Sequence, residues 1–89
     1  MINIFTTPTC AFCPMVKNYL KLKGLPFTEI DTSTMSYDER SNLQKKYNAT
    51  TVPITVFPNG KHIAGWNIQK LAQLTNEFTE QFIQETLLA

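Results

Sequence analysis

The 89-residue chain predicts an α/β domain, a four-stranded mixed sheet with three helices in the order β-α-β-α-β-β-α. Three observations carry that expectation. The apolar run Ile2-Asn3-Ile4-Phe5 stops before Pro8 and gives way to apolar residues spaced by threes and fours, the signature of a strand followed by a helix. Ser36-Tyr37-Asp38-Glu39 has the capping-box pattern that opens a second helix. Ile54-Thr55-Val56-Phe57, the turn Pro58-Asn59-Gly60 and His62-Ile63-Ala64 then read as a hairpin ahead of a last amphipathic segment.

Taken in order, residues 2–6 form a first strand apolar enough for a buried central position. Residues 11–23 fit a helix with Phe12, Val16, Tyr19 and Leu20 on its stripe. Pro14 lies in its first turn, where a missing N–H costs nothing, and Gly24 is its stop. Pro26 to Ile30 supply a second strand, parallel to the first through the crossover helix. The helix over 37–47 carries few apolar residues, Leu43 and Tyr47, and Asn48 ends it in a left-handed conformation. Asn67 caps the last helix, whose apolar face is Leu71, Leu74, Phe78 and Phe82. No linker, repeat or low-complexity stretch divides the chain, so residues 1–89 read as one domain.

Eight basic and seven acidic residues leave a net charge of +1, which offers no electrostatic reason to expect nucleic acid or an anionic membrane as partner. No window is long and apolar enough to span a bilayer, and no secretory signal stands at the N-terminus; a cytoplasmic monomer is the expectation. In that compartment paired cysteines are more often catalytic or metal-binding than structural.

Both cysteines, Cys10 and Cys13, stand between the first strand and the first helix. A helix begins with unpaired N–H groups and the positive end of its dipole, so a thiol placed there ionises more readily, at about 3.5 to 7.5 against about 8.5 for a free cysteine. The two-residue spacing lets the sulfurs close a disulfide with little backbone motion. Cys10, nearer the free N–H groups, is the expected nucleophile on a substrate disulfide, and Cys13, inside the first turn, the expected resolving thiol. Three other readings compete. A zinc site needs four ligands, and His62 is the only other Cys or His, so no metal is expected. A structural disulfide spanning four residues would restrain the unfolded chain little. Two inert buried thiols remain the third.

Thr51-Val52-Pro53 precedes the third strand, where proline is tolerated because the first strand residue needs no ladder bond. The aromatic-ended first strand, Thr7-Pro8-Thr9-Cys10-Ala11-Phe12-Cys13, Thr51-Val52-Pro53 some forty residues on, and Gly65-Trp66-Asn67 opening the last helix together resemble the glutaredoxin family and its relatives, the NrdH redoxins. The resemblance spans essentially the whole chain. It implies a thioredoxin-like fold, a cis Val52–Pro53 bond packed against Cys10, and a Val52 backbone that receives an extended substrate as an added strand. It places Phe12, Thr51, Val52, Pro53, Gly65, Trp66 and Asn67 around the substrate. The activity it implies is that of a small dithiol–disulfide oxidoreductase acting on disulfide-containing proteins, with no tightly bound cofactor.

The electron source divides the family. Glutathione-using members carry a lysine where this chain has Thr7, Pro-Tyr where it has Ala11-Phe12, and Gly-Gly-x-Asp where it has Ala64-Gly65-Trp66-Asn67. Each charged contact missing from a zwitterionic tripeptide costs about 1.5–3 kcal/mol. Gly65 followed by an aromatic looks more like the NrdH redoxins, which thioredoxin reductase re-reduces and which supply ribonucleotide reductase. Lys17, Lys45, Lys46 or Lys61 could restore a charge, so glutathione stays open as co-substrate. An iron–sulfur-bridged dimer and a non-catalytic adaptor binding through Val52 are the alternatives from other classes. His62 reads as a surface residue of the hairpin, Trp66 as either core or an apolar lip beside Phe12, and Lys17, Lys21 and Lys23 as a solvated helix face that also favours thiolate at Cys10.

Overall fold

The strand Ile2–Thr6 (β1) is the one on which the sheet is assembled, in the computed structural model that describes the backbone of residues 2–88 and the side chains of residues 2–79. The sheet order is β2-β1-β3-β4, with β2 (Phe27–Asp31) parallel to β1, β3 (Ile54–Val56) antiparallel to it, and β4 (His62–Ala64) closing the hairpin at the far edge. The helices are α1 (Cys13–Leu22), α2 (Tyr37–Tyr47) and α3 (Ile68–Leu88). Helix, strand and topology therefore match the predicted order.

Alternation along β1 sorts the layers. Ile2, Ile4 and Thr6 are buried on one face, and Ile2 and Ile4 join Val16 and Leu20 of α1, Leu71 and Leu74 of α3, Phe57 and Ile63 in a single core. Phe5 points to the other face, where its ring lies 6.2 Å from that of Tyr47, at the end of α2. His62 is on this second face too; its ring meets Tyr47 edge-on at 5.0 Å and its Nε2 lies 3.0 Å from the Tyr47 carbonyl. The histidine thus secures the end of α2, a structural post that its sequence position did not disclose. None of α2's residues is buried, as its short apolar stripe implied.

Local chemistry explains the ends. The Leu25 N–H bonds the Leu20 carbonyl and the Gly24 N–H that of Lys21, a Schellman closure that needs the left-handed φ of +70° at Gly24. Asn48 ends α2 at φ 48° and ψ 48°. Ser36 accepts from the Glu39 N–H at 3.2 Å, so the forward half of the capping box is made. Asn67 Oδ1 accepts from the Lys70 N–H at 3.1 Å and caps α3.

The boundaries of α1, β2 and β3 differ from expectation. α1 begins at Cys13 and ends at Leu22, and Phe12, its N-cap residue, is half exposed and leaves the apolar stripe. β2 starts at Phe27, because Pro26 has no N–H to contribute to a ladder. β3 stops at Val56; the Phe57 N–H bonds the Lys61 carbonyl across the turn, although its side chain stays in the core. A 3-10 turn, Thr32–Thr34, follows β2, nucleated by Asp31 accepting from the Ser33 N–H at 2.9 Å. Phe82 lies outside the described side chains. No helix among the described residues is long and apolar enough to cross a membrane.

Leu20→Ala should lower unfolding free energy by about 2–5 kcal/mol in urea titrations, through lost burial and the cavity left behind. Leu22→Ala, two residues on but 86% exposed, should stay within about 0.5 kcal/mol of the parent protein.

Candidate active site

The junction between β1 and α1 is a tight reversal. The Cys10 N–H bonds the Thr7 carbonyl at 3.2 Å, and the Met15 and Val16 N–H groups bond the Phe12 carbonyl as the helix begins. This leaves the Cys13 N–H, at the head of the helix, without a carbonyl in reach, and it donates to Cys10 Sγ at 3.1 Å. Cys10 and Cys13 are joined as a disulfide with Cα atoms 5.5 Å apart. Cys13 is 2% exposed while Cys10 is partly open to solvent, so a reagent approaching the pair meets Cys10 first. The geometry offers an accessible sulfur with a backbone donor aimed at it and a shielded sulfur to receive the leaving bond.

A second junction lies before β3. The Val52–Pro53 bond is cis and Pro53 is buried. The Pro53 carbonyl accepts from the Gly65 N–H at 2.7 Å, which brings the start of the Gly65-Trp66-Asn67 stretch beside the proline; among the described residues no hydrogen bond joins Pro53 to Cys10. Thr51 is exposed, and its hydroxyl donates to the Val52 carbonyl at 3.2 Å.

Thr51 and Val52 line a groove of about 280 Å³ on the α2 side of the sheet, together with Thr7, Arg40 and Gln44. Cys10 and Cys13 line a separate hollow of about 300 Å³ on the α1 side, with Thr7, Lys17, Glu29 and Asp31. Thr7 stands in both. Phe12, Gly65 and Trp66 line neither of these two; Trp66 packs half-buried on the core, and Phe12 is exposed beside the thiols, as is Met15. Asn67 lines a third hollow with Tyr47, His62 and Lys70.

The charges are placed in ways that spacing did not reveal. Lys17 is ion-paired with Glu29 at 3.0 Å, and Thr6 Oγ1 donates to the same carboxylate at 3.1 Å. The Lys17 hydrogen bond, with help from Thr6, holds the Glu29 carboxyl below its usual range despite some opposing desolvation. Asp31 is lowered by the Ser33 hydroxyl and N–H. Lys61 is committed to Glu77 at 2.5 Å, and Lys46 lies over the Tyr47 ring. Of the lysines expected to restore a charge, none lines the Thr51–Val52 groove; Arg40 does. Arg40 makes no ion pair with another described residue. The i,i+4 spacing of Arg40 and Gln44 puts the two on one helix face but does not say which face meets the loop. Among the described residues no three His, Cys, Asp or Glu side chains gather as metal ligands would.

Comparison with known proteins agrees with this architecture. The sequence model of the glutaredoxin family matches residues 2–63. The chain is 31% identical, over 83% of its own length and 96% of the other's, to a glutaredoxin-like 8.6 kDa protein of a Clostridium pasteurianum rubredoxin operon. It is 38% identical to the N-acetyl-S-hydroxy-L-cysteine reductase of Bacillus subtilis, over 72% of this chain and 68% of that one. The crystal structure of the thioredoxin-like protein BC3987 superposes with a TM-score of 0.71 at 32% identity, covering 83% of this chain and 99% of that one.

Glu29 and Glu77 have folded-state pKa values below their unfolded ones, so they contribute stability above the ordinary carboxylate range that is lost as pH falls through the lower folded values. Urea midpoints should therefore drop between about pH 6 and about pH 3. The double variant Glu29→Gln/Glu77→Gln should show a flatter profile.

Proposed function

The chain belongs to the glutaredoxin family and is a thiol–disulfide oxidoreductase; from that premise we propose that Cys10 is its nucleophile, Cys13 its resolving thiol and glutathione its reductant. The observation that carries the first part is the Cys13 N–H held 3.1 Å from Cys10 Sγ. A thiolate at Cys10 keeps that donor and faces the positive end of α1, and both lower its pKa. The Cys10 thiolate attacks a substrate disulfide, forming a mixed disulfide and expelling the first substrate sulfur. Cys13 then attacks Cys10 Sγ, loses its proton and releases the second substrate sulfur. The two protein sulfurs are oxidised and the two substrate sulfurs reduced.

Arg40 supports glutathione as reductant. It stands in the groove with Thr51 and Val52, where an extended peptide adding to the Val52 backbone would present a carboxylate to it. This supplies a cation despite Thr7, from a helix instead of the strand end. The Bacillus subtilis relative, named for reducing an S-hydroxycysteine derivative, supports small oxidised cysteine compounds as a further substrate class. A second reading, re-reduction by thioredoxin reductase with delivery to ribonucleotide reductase, is favoured by exposed Phe12 and Met15, an apolar patch suited to a protein partner. Cycling between dithiol and disulfide suits the cytoplasm.

Cys10→Ser should abolish disulfide reduction, and Cys13→Ser should accumulate mixed disulfides visible by mass spectrometry. Recycling by glutathione with glutathione reductase, but not by thioredoxin reductase, is the expected result; the reverse pattern selects the second reading. Arg40→Ala should raise KM for glutathione about tenfold or more, the loss of one charge-assisted contact, with a smaller change in kcat.

A further inference from the structure

The hollow on the α1 side holds both sulfurs and three charged side chains to which the reaction above gives no part: Lys17 from α1, and Glu29 and Asp31 from β2. Lys17 follows Cys13 by four residues, so the two rise from one stripe of α1. Left alone, its ammonium would stabilise a thiolate in the same hollow. It is held instead at 3.0 Å from Glu29. Glu29 is itself fixed by the hydroxyl of Thr6, a residue 3% exposed whose carbonyl accepts from Thr32 Oγ1 at 3.0 Å. The hollow thus sets two carboxylates against one ammonium at the start of α1, where they oppose the effect of the helix N-terminus on Cys10.

We propose that Glu29 is a positioning residue that sets the reduction potential of the Cys10–Cys13 couple, by holding the Lys17 ammonium and keeping the wall beside the sulfurs net negative. The inference rests on the oxidoreductase reading. In the reduction, the disulfide and two glutathione molecules give the Cys10 thiolate, the Cys13 thiol, one glutathione disulfide and one proton. Only the product carries a charge on sulfur, so a negative wall disfavours it and makes the reduced pair the stronger reductant. The depressed Glu29 carboxyl is ionised throughout the neutral range, so the wall keeps its sign there.

The test equilibrates the purified protein with glutathione buffers of stepped ratio, traps thiols by alkylation and counts them by mass. Thiolate formation at Cys10 is followed separately by its ultraviolet absorbance. Glu29→Gln removes one negative charge and frees Lys17, and should shift the equilibrium toward the dithiol by about three- to tenfold, allowing for solvent screening at this half-open site. That is a rise of about 15–30 mV. Lys17→Gln should shift it the other way. Glu77→Gln removes the same charge from the Lys61 pair, which is outside the hollow, and should leave the potential unchanged. Opposite shifts for the first two with none for the third support the proposal. Equal potentials for all three, or shifts of one sign for Glu29→Gln and Lys17→Gln, overturn it. If Glu29→Gln fails to fold, the direction of the Lys17→Gln shift decides alone. A parent protein that never exchanges with the thiol buffer would instead defeat the oxidoreductase reading itself.

Discussion

The site depends on one backbone hydrogen-bond donor that secondary structure leaves over. β1 ends, the chain reverses through Thr7 to Cys10, and α1 starts at Cys13, so the first N–H of the helix has a sulfur to meet and no carbonyl. The strand behind that junction is central in the sheet, with Ile2 and Ile4 anchored in the core, and the helix ahead of it is pinned by Val16 and Leu20 in the same core. Packing energy far from the sulfurs is thereby converted into a fixed direction for one N–H bond, and a preorganised donor of this kind acts without further rearrangement.

The sheet then divides the surroundings of that junction in two. The face covered by α1 and α3 carries the acidic hollow, and the face under α2 carries the groove with Arg40. Thr7, at the end of the central strand, belongs to both. Alternation of side chains along β1 and β2 is what puts Thr6, Glu29 and Asp31 on the first side, and Phe5 and Ile30 on the second. Under the proposed function, affinity for glutathione and redox poise fall to different residues on opposite faces of the sheet.

Much of this was legible in the chain because it rests on local rules. Cys10 and Cys13 between a strand and a proline-bearing helix turn, Gly24 and Asn48 as left-handed stops, Ser36 and Asn67 as caps, and the Pro58-Asn59-Gly60 hairpin all follow from short-range geometry. The cis bond at Pro53 came from the family resemblance, since composition alone favours trans. What could not be read was which charged residue meets which. Lys17 looked like part of a solvated lysine series until β2 supplied Glu29, and Arg40 was one of several polar residues on a helix of unknown orientation. His62 likewise gained its role from the distant Tyr47 carbonyl. Ion pairs between elements are set by tertiary register, which single-sequence periodicity does not encode.

The absence of any buried residue in α2 has a mechanical corollary. The jaw on the Arg40 side is tied to the sheet chiefly through Tyr47, against Phe5 and His62, whereas the opposite jaw is continuous with the main core. Sparse packing gives a helix low local stability and a shallow response to tilt, so it can yield to occupants of different girth. Exposed positions such as Tyr37, Arg40 and Gln44 can also drift with small effects on folding. Changes along that one helix can therefore reshape the groove while the disulfide junction on the stiff side keeps its geometry.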